Sequence, residues 1–393
     1  MLNKRFCFLW MGQSLANLGD VFYVVAVISA VYAATDSAVF TAMVPVLFVA
    51  AQAVSGFLAP LVFQRMPLLA VLIMSQGAKT LLLFLAAWLV AGSGAHAQAV
   101  LSVLVLVFAI AFLDGWAAPA RNALVPRLVE RERLLRANGL LAATDQSVQF
   151  AGWAAGGLLV AWLGHAAVLW GTSAAYLLAT VALIFVHPVS GTERREVDKG
   201  LLTGWRAIGR NRRLRLLVAI DVLEGWAGAV WVAAIMLPFV TQVLKKGEAW
   251  WGYLNAAYML GSIAGGAVML ALASRLRDNL PRWVTVGTGA SGLVTLLFGA
   301  SGSPVAALVF SFALGPVFQL QAIAKQTLLQ QAAGEADLPV VLSAKGTMDA
   351  LVFGCSVLAM GAAAEWLGPR WAYFLAAALT GIAALLALRL RRV

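Results

Sequence analysis

Charged residues are scarce in this sequence: Asp, Glu, Lys and Arg make up only 11% of its 393 residues, whereas hydrophobic residues make up 62%. The mean hydropathy is +0.88. A soluble domain needs far more polar surface than this, so the composition excludes an ordinary soluble protein and predicts an all-α membrane protein. One crossing of a bilayer takes about 20 apolar residues, which leaves room for roughly a dozen crossings.

Cysteine and histidine are nearly absent. The two cysteines, Cys7 and Cys355, stand far apart within apolar segments, so they offer neither a disulfide framework nor a metal-binding spacing. His96, His165 and His187 form no metal cluster or catalytic triad. The sequence also lacks a P-loop motif, which argues against ATP-driven transport. We therefore expect no enzyme activity, no cofactor and no metal.

The net charge of +11 reflects basic residues in short connections between apolar segments, rather than on one soluble face. Nucleic-acid binding is therefore not expected. The basic residues concentrate in alternate connections, and the opposite ones offer only Lys245, Lys246 and Arg370. By the positive-inside rule, this asymmetry predicts twelve spans with both termini on the cytoplasmic side of a bacterial inner membrane.

The apolar runs themselves predict twelve transmembrane helices. Their expected ranges are 6–33, 39–63, 68–92, 98–119, 135–163, 166–186, 214–243, 248–273, 283–301, 303–326, 340–367 and 370–388. One long polar stretch separates six helices from six. It predicts an N-terminal six-helix bundle over residues 1–187, a cytoplasmic linker over 188–213 and a C-terminal six-helix bundle over 214–393. Part of the linker, around 201–208, is expected to form a helix on the membrane surface.

An internal repeat relates the two halves. The tripeptide Trp-Leu-Gly at 162–164 recurs at 366–368, an offset of 204 residues. The same offset matches charged residues: Asp145 with Asp349, and Arg121 with Lys325. Because such charges are rare within apolar segments, the matches favour a duplication and predict two pseudo-symmetric bundles.

Three runs carry a family resemblance: GQSLANLGD at 12–20, PARNALVP at 119–126 and LLRANGL at 134–140. Together with the two halves and their linker, they make the chain resemble the major facilitator superfamily, and within it the prokaryotic drug:proton antiporters of the macrolide-efflux type. The resemblance implies two bundles that rock around a substrate held near the midplane. It also implies proton-coupled export of drugs or other small amphipathic molecules by alternating access.

Two features depart from that family pattern. The superfamily has an acid between helices two and three where this chain has Pro60, and the antiporter motif Gly-Pro-x-x-Gly-Gly appears at 152–157 with Trp153 in place of proline. Lysophospholipid carriers share a similar Gly-Asp in the first helix and a similar end to the fourth. A lysophospholipid or siderophore transporter of the same fold is therefore an alternative, as is a non-transporting membrane receptor.

Ionisable residues within apolar segments are functional candidates, because each costs roughly 2.5–3.5 kcal/mol to insert into a bilayer. Asp20 in the first helix, and Asp221 and Glu224 on one face of the seventh, are the candidates for proton coupling, since burial favours a neutral carboxyl group. For Asp20 the alternative is a structural hydrogen bond. For Asp221 it is an ion pair with Arg213 or Arg215.

A second set of charged residues is expected to form a gate or an ion-pair network. Its members are Asp114, Arg121, Asp145, Lys325 and Asp349. Asp145 and Asp349 are predicted to face the ends of the fourth and tenth helices. There they would form a salt bridge or a helix cap that holds the inner gate shut.

A third set is expected to line the substrate cavity. Its members are Lys79, Gln52, Trp116, Gln149, Trp153, Trp226, Asn255 and Gln319. Lys79 would neutralise an acid such as Asp20 or Asp114, snorkel, or attract an anionic group of the substrate. For each tryptophan the alternative is packing or contact with lipid. The expected partners are a small amphipathic substrate, protons and the lipid bilayer, with the protein acting as a monomer.

Overall fold

A computed structural model describes residues 3–92, 97–186 and 200–392, and nearly all of them are helical. The first six helices are α1 (Lys4–Thr35), α2 (Ala38–Phe63), α3 (Leu68–Gly92), α4 (Ala97–Leu128), α5 (Leu134–Leu163) and α6 (His165–Ile184). The others are α7 (Thr203–Arg210), α8 (Arg212–Gly228), α9 (Ala233–Pro238), α10 (Ala249–Leu276), α11 (Leu280–Ala300), α12 (Pro304–Leu367) and α13 (Pro369–Leu388). His96, His187 and residues 188–199 of the predicted linker lie outside the described residues.

Helix α12 consists of two arms that meet at Gly334. Its backbone there is non-helical, with φ 69° and ψ 158°, a region that glycine adopts far more readily than other residues. The arms, 304–333 and 335–367, contain the two separate helices predicted for this part of the chain. Helix α7 likewise lies where a short helix around 201–208 was expected; its placement on the membrane surface stays a prediction.

The long helices have the dimensions of membrane spans. Within the described ranges, eight stretches are long and apolar enough to cross a bilayer, and the pair Arg212–Trp231 and Ala234–Val243, bent by 48°, makes up to nine. Two of the eight, Ala249–Ala300 and Pro304–Leu367, each contain two helices. Helix α5 carries charged residues and is also long enough to span, at 30 residues. The architecture agrees with an all-α membrane protein of about twelve spans.

The chain forms two compact units. Unit 1 consists of Met1–Glu130, Val148–Trp205 and Glu335–Thr347, and unit 2 consists of Arg131–Ser147, Arg206–Gly334 and Met348–Val393. Thus the beginning of α5 packs with helices of the C-terminal half, and the beginning of the second arm of α12 packs with helices of the N-terminal half. The two segments start 204 residues apart, at the offset of the internal repeat. The division into 1–187, 188–213 and 214–393 stays a prediction.

Each unit has its own apolar core. In unit 1, Tyr23, Leu83 and Tyr176 are fully buried among α1, α3, α4 and α6. In unit 2, Phe298 lies 5.0 Å from Phe239 and 4.9 Å from Tyr373 between ring centroids. Such aromatic contacts contribute stability beyond the apolar area that they bury.

Glycines allow α10 and α12 to approach closely within unit 2. A Cβ atom at Gly261 would lie 2.1 Å from the Phe312 carbonyl oxygen, and one at Gly265 would lie 2.4 Å from Pro316 Cα. Gly261 and Gly265 are four residues apart, so they share one face of α10. This is the small-residue spacing that favours close helix packing in membranes.

Candidate functional site

Unit 1 contains a cluster of three charged side chains, one buried and two half-buried, which we call the N-terminal trio: Asp20, Lys79 and Asp114. The Lys79 ammonium on α3 donates to the Asp20 carboxylate of α1 at 2.9 Å and to the Asp114 carboxylate of α4. The Lys79 side chain is fully buried. A buried ammonium needs paired acceptors, and the neighbouring helices supply two.

Tyr176 of α6 completes this site. Its hydroxyl donates to the Asp20 carboxylate, and its ring centroid lies 4.5 Å from Lys79 Nζ. Four helices therefore meet at one ion-pair cluster. The expectation that Lys79 neutralises Asp20 or Asp114 agrees with this geometry, because its ammonium contacts both.

Unit 2 contains the C-terminal trio: Asp221, Glu224 and Lys325. The Lys325 ammonium on α12 donates to Asp221 at 2.5 Å and to Glu224, both of which lie on α8. The two acids reach the same ammonium because residues three apart share one helix face. Thr288 Oγ1 of α11 lies 2.8 Å from the Glu224 carboxylate and also 2.8 Å from the Gln321 amide oxygen.

The two trios are related through the internal repeat. The offset of 204 residues carries Asp20 onto Glu224 and Asn17 onto Asp221. Sequence reasoning missed this match, although the offset applied to the first helix would have found it. The cations occupy different places: Lys325 takes the repeat position of Arg121, whereas Lys79 lies on α3. Each half thus builds a similar cluster from its own set of helices.

The trios share one electrostatic property. Each contains two carboxylates and one ammonium, so each carries a formal charge of −1 when all its groups are ionised. Buried charges are stable only when they are compensated. One bound proton or one cationic group of a ligand would neutralise either trio.

The residues expected at the gate lie in different places. Lys325 and Asp114 belong to the trios, and Arg121 Nε donates to the Asn122 side chain at 3.2 Å. Asp145 is half-buried on α5, and Asp349 is exposed on the second arm of α12. Their role in a gate stays a prediction.

A cavity of about 190 Å³ lies beside Glu224, entirely within unit 2. Helices α8, α9, α10, α11, α12 and α13 contribute to its lining. Its polar lining consists of Glu224, Asn255, Ser291, Thr295, Gln321 and Thr380. Its apolar lining includes the aromatic side chains of Trp231, Tyr258 and Phe318. A mostly apolar pocket with a few converging polar groups is the usual form of a small-molecule site.

The break between α8 and α9 borders this cavity. Val232 has extended backbone angles, φ −78° and ψ 149°, and Trp231 before it is held by Phe298 and Tyr373 at 4.7 Å and 5.5 Å between ring centroids. The Tyr373 hydroxyl donates to the Val230 carbonyl at 2.9 Å. Discontinuous helices mark the binding sites of many transporters, and here side chains stabilise the interruption.

Among the cavity candidates on unit 2, Asn255 lines the cavity, and its amide donates to the Trp251 carbonyl at 2.9 Å. Trp226 is half-buried on α8. Gln319 is buried in α12, and its neighbours Phe318 and Gln321 contribute to the lining. The lining hydroxyls Ser291 and Thr295 were not predicted, because no charge distinguishes them in sequence.

The cavity candidates on unit 1 are more dispersed. Lys79 belongs to the N-terminal trio. Trp116 Nε1 donates to the Ser55 carbonyl of α2 at 3.2 Å, and Gln52 is half-buried one turn earlier. Gln149 and Trp153 are exposed on α5. Their contact with substrate stays a prediction.

The long apolar helices, the weak internal symmetry and the buried charges define a multi-pass membrane protein of the transporter type. The model of the Major Facilitator Superfamily matches residues 9–315, which is most of the chain, and the chain belongs to this superfamily. It is therefore a membrane transporter.

Similar proteins agree with this assignment. The MFS-type transporter YfmI of Bacillus subtilis (strain 168) is 30% identical over 389 residues, which cover 98% of this chain and 96% of that protein. The lysophospholipid transporter LplT of Citrobacter koseri is 25% identical over 224 residues, or 54% of each chain. A bacterial homologue of the iron transporter ferroportin, in an outward-facing crystal structure with soaked iron, superposes with a TM-score of 0.76 at 15% identity and covers 99% of this chain and 100% of that one. At 15% identity, the similarity to the ferroportin homologue shows a shared fold.

Proposed function

We propose that this transporter exports small amphipathic molecules, including drugs, in exchange for protons, as the resemblance to macrolide-efflux antiporters implies. The observation that carries the proposal is the charge of the trios: each places two carboxylates around one lysine among the helices, and its three side chains sum to a formal charge of −1. The protein would lie in a bacterial inner membrane as a monomer with both termini cytoplasmic. Six-helix bundles would rock around the substrate in alternating access.

The coupling follows from charge balance. A proton entering from outside binds Asp20 or Glu224, so that the trio becomes neutral and the acid loosens its hold on the lysine. Neutralisation lowers the cost of keeping the cluster away from water while the bundles change position. Release of the proton on the inner side restores the charge of −1. Substrate leaves in the opposite direction during the same cycle.

The experiment uses purified protein in liposomes with an imposed pH gradient and a panel of drugs and lysolipids. Drug addition should trigger proton movement in the wild type, whereas substitution of the acid that binds the proton, Asp20→Asn or Glu224→Gln, should abolish it. Asp278→Asn is the matched control, because Asp278 is an exposed acid with 76% of its side chain accessible. Drug transport that persists after the gradient is collapsed would overturn the antiport proposal.

Lysophospholipid transport is the second candidate, because the relative from Citrobacter koseri is a lysophospholipid transporter and matches 54% of this chain. The same liposome panel separates the two. Transport of lysolipids and not of drugs would replace the first proposal with this one. A receptor that transports nothing would move neither compounds nor protons, and it would tolerate both carboxylate substitutions.

A further inference from the structure

The cavity beside Glu224 has a chemistry of its own. We propose that it binds a protonated amine carried on a compact aromatic body, with the ammonium beside Glu224 and the ring among the aromatic side chains. The inference rests on the proposed export of amphipathic molecules and narrows their chemical class. Four properties of the described residues support it: the local charge, the unused acceptors of Glu224, the aromatic lining and one buried hydroxyl.

The first two properties concern Glu224. It belongs to a trio with a formal charge of −1, and only 8% of its side chain is exposed. One of its oxygens accepts from Lys325, and the other lies 2.8 Å from the Thr288 hydroxyl. A carboxylate has about four acceptor positions, so Glu224 keeps acceptor capacity, and its side chain contributes to the cavity lining. A cation placed there brings the trio to neutrality, whereas an anion would increase its charge.

The third property is the aromatic lining. Trp231 lines the cavity while other aromatic rings hold it in place. On the α10 and α12 side, the Tyr258 and Phe318 rings lie 6.4 Å apart between centroids. Aromatic faces attract ammonium groups within about 6 Å and also pack against a ligand ring. Because packing already orders Trp231, little conformational freedom is lost when a ligand binds.

The fourth property is an unused hydroxyl. Ser291 of α11 lines the cavity and is only 5% exposed, and its Oγ has no hydrogen-bond partner among the described residues. A buried hydroxyl without a partner is unfavourable. A ligand N–H group is a suitable partner, because Ser291 Oγ can accept from it. This contact lies apart from the ion pair and provides a second polar anchor.

The volume of the cavity limits the size of the ligand. Its volume of about 190 Å³ is below the roughly 300–1,000 Å³ of sites that enclose drug-sized molecules. The site therefore suits a ligand of one or two fused rings with a short amine side chain, or the equivalent head of a larger molecule.

Three indole compounds of similar shape test the charge preference: tryptamine, the neutral alcohol tryptophol and the anionic indole-3-propionate. Binding is measured by calorimetry on the full-length protein in detergent at neutral pH, without any gradient. Tryptamine should bind at least about tenfold more tightly than tryptophol, a difference of about 1.4 kcal/mol. Indole-3-propionate should not bind detectably. Equal binding of tryptamine and tryptophol, or tightest binding of the anion, would overturn the proposal.

Variants then locate the site. Glu224→Gln should reduce the preference for tryptamine over tryptophol to less than threefold. Ser291→Ala should lower the affinity for tryptamine severalfold. Ser311→Ala is the matched control, because Ser311 is another buried serine with an unpartnered hydroxyl, outside the cavity lining. Thermal unfolding establishes that each variant is folded. A preference that survives in folded Glu224→Gln would contradict the assignment, and the ligand series on the wild type remains decisive if that variant misfolds.

These measurements are independent of proton coupling. If tryptamine shows the expected preference but the liposomes show no proton exchange, the binding site stands and the antiport proposal fails. If protons move with drugs but the three indoles bind alike, antiport stands and the amine site fails.

Discussion

Removing the lysine of the N-terminal trio is the sharpest perturbation of the buried charges. Lys79→Met would leave Asp20 and Asp114 with a combined formal charge of −2 and without the ammonium that contacts both. Both carboxylates contact the same Nζ atom, so two charges roughly 5 Å apart would repel by about 3 kcal/mol at an effective dielectric constant of about 20. This agrees with the roughly 3–5 kcal/mol that breaking a buried pair costs. We therefore expect Lys79→Met to lower the free energy of unfolding by roughly 3–5 kcal/mol.

The assay is the apparent free energy of unfolding in a mild detergent, compared with the wild type. The double variant Lys79→Met/Asp114→Asn returns the site to −1 and removes the repulsion, so it should recover roughly 2–3 kcal/mol as a coupling between neighbours. Lys4→Met is the control, since Lys4 is exposed. The electrostatic reasoning fails if Lys79→Met is as stable as the control, or if the double variant recovers nothing.

Two glycine substitutions test the packing and the backbone of unit 2. Gly265→Ala should destabilise by about 1–3 kcal/mol through overpacking, because its Cβ would lie 2.4 Å from the Pro316 backbone, whereas Gly252→Ala in the same helix meets open space. Thermal unfolding compares Gly265→Ala with Gly252→Ala. Equal melting temperatures of the two variants would contradict the close approach of α10 and α12. Gly334→Ala should cost about 1–3 kcal/mol because its backbone region strains other residues, while Gly346→Ala in the helical part of α12 should be neutral or stabilising. Chemical unfolding measures the change in stability of both variants. A Gly334→Ala variant as stable as the wild type would contradict the non-helical backbone at Gly334.

The sequence alone determined the helices and the charged candidates. Apolar runs of about 20 residues have few alternatives to helix in a membrane, because each backbone polar group must find a partner within its own segment. That constraint acts locally, so the twelve predicted ranges overlap the observed helices. It also made Asp20, Lys79 and Glu224 conspicuous, since a charge within such a run is costly.

Only the tertiary structure decided which charges meet. The spacing of Asp221 and Glu224 showed that they share a face, but not that Lys325, about a hundred residues later, lies opposite that face. Periodicity fixes directions within one helix, whereas distances between helices depend on how side chains and glycines pack.

The cavity shows the same limit. Ser291 and Thr295 on α11 and Thr380 on α13 are ordinary hydroxyl residues, and nothing in their local sequence distinguishes them from helix-packing residues. They become a polar lining only because the break at Val232 and the packing of six helices bring them to one space beside Glu224. The sequence identifies the charged candidate residues because a charged side chain is costly to place anywhere in a membrane. The shape of a binding site, in contrast, arises only from the packing of helices.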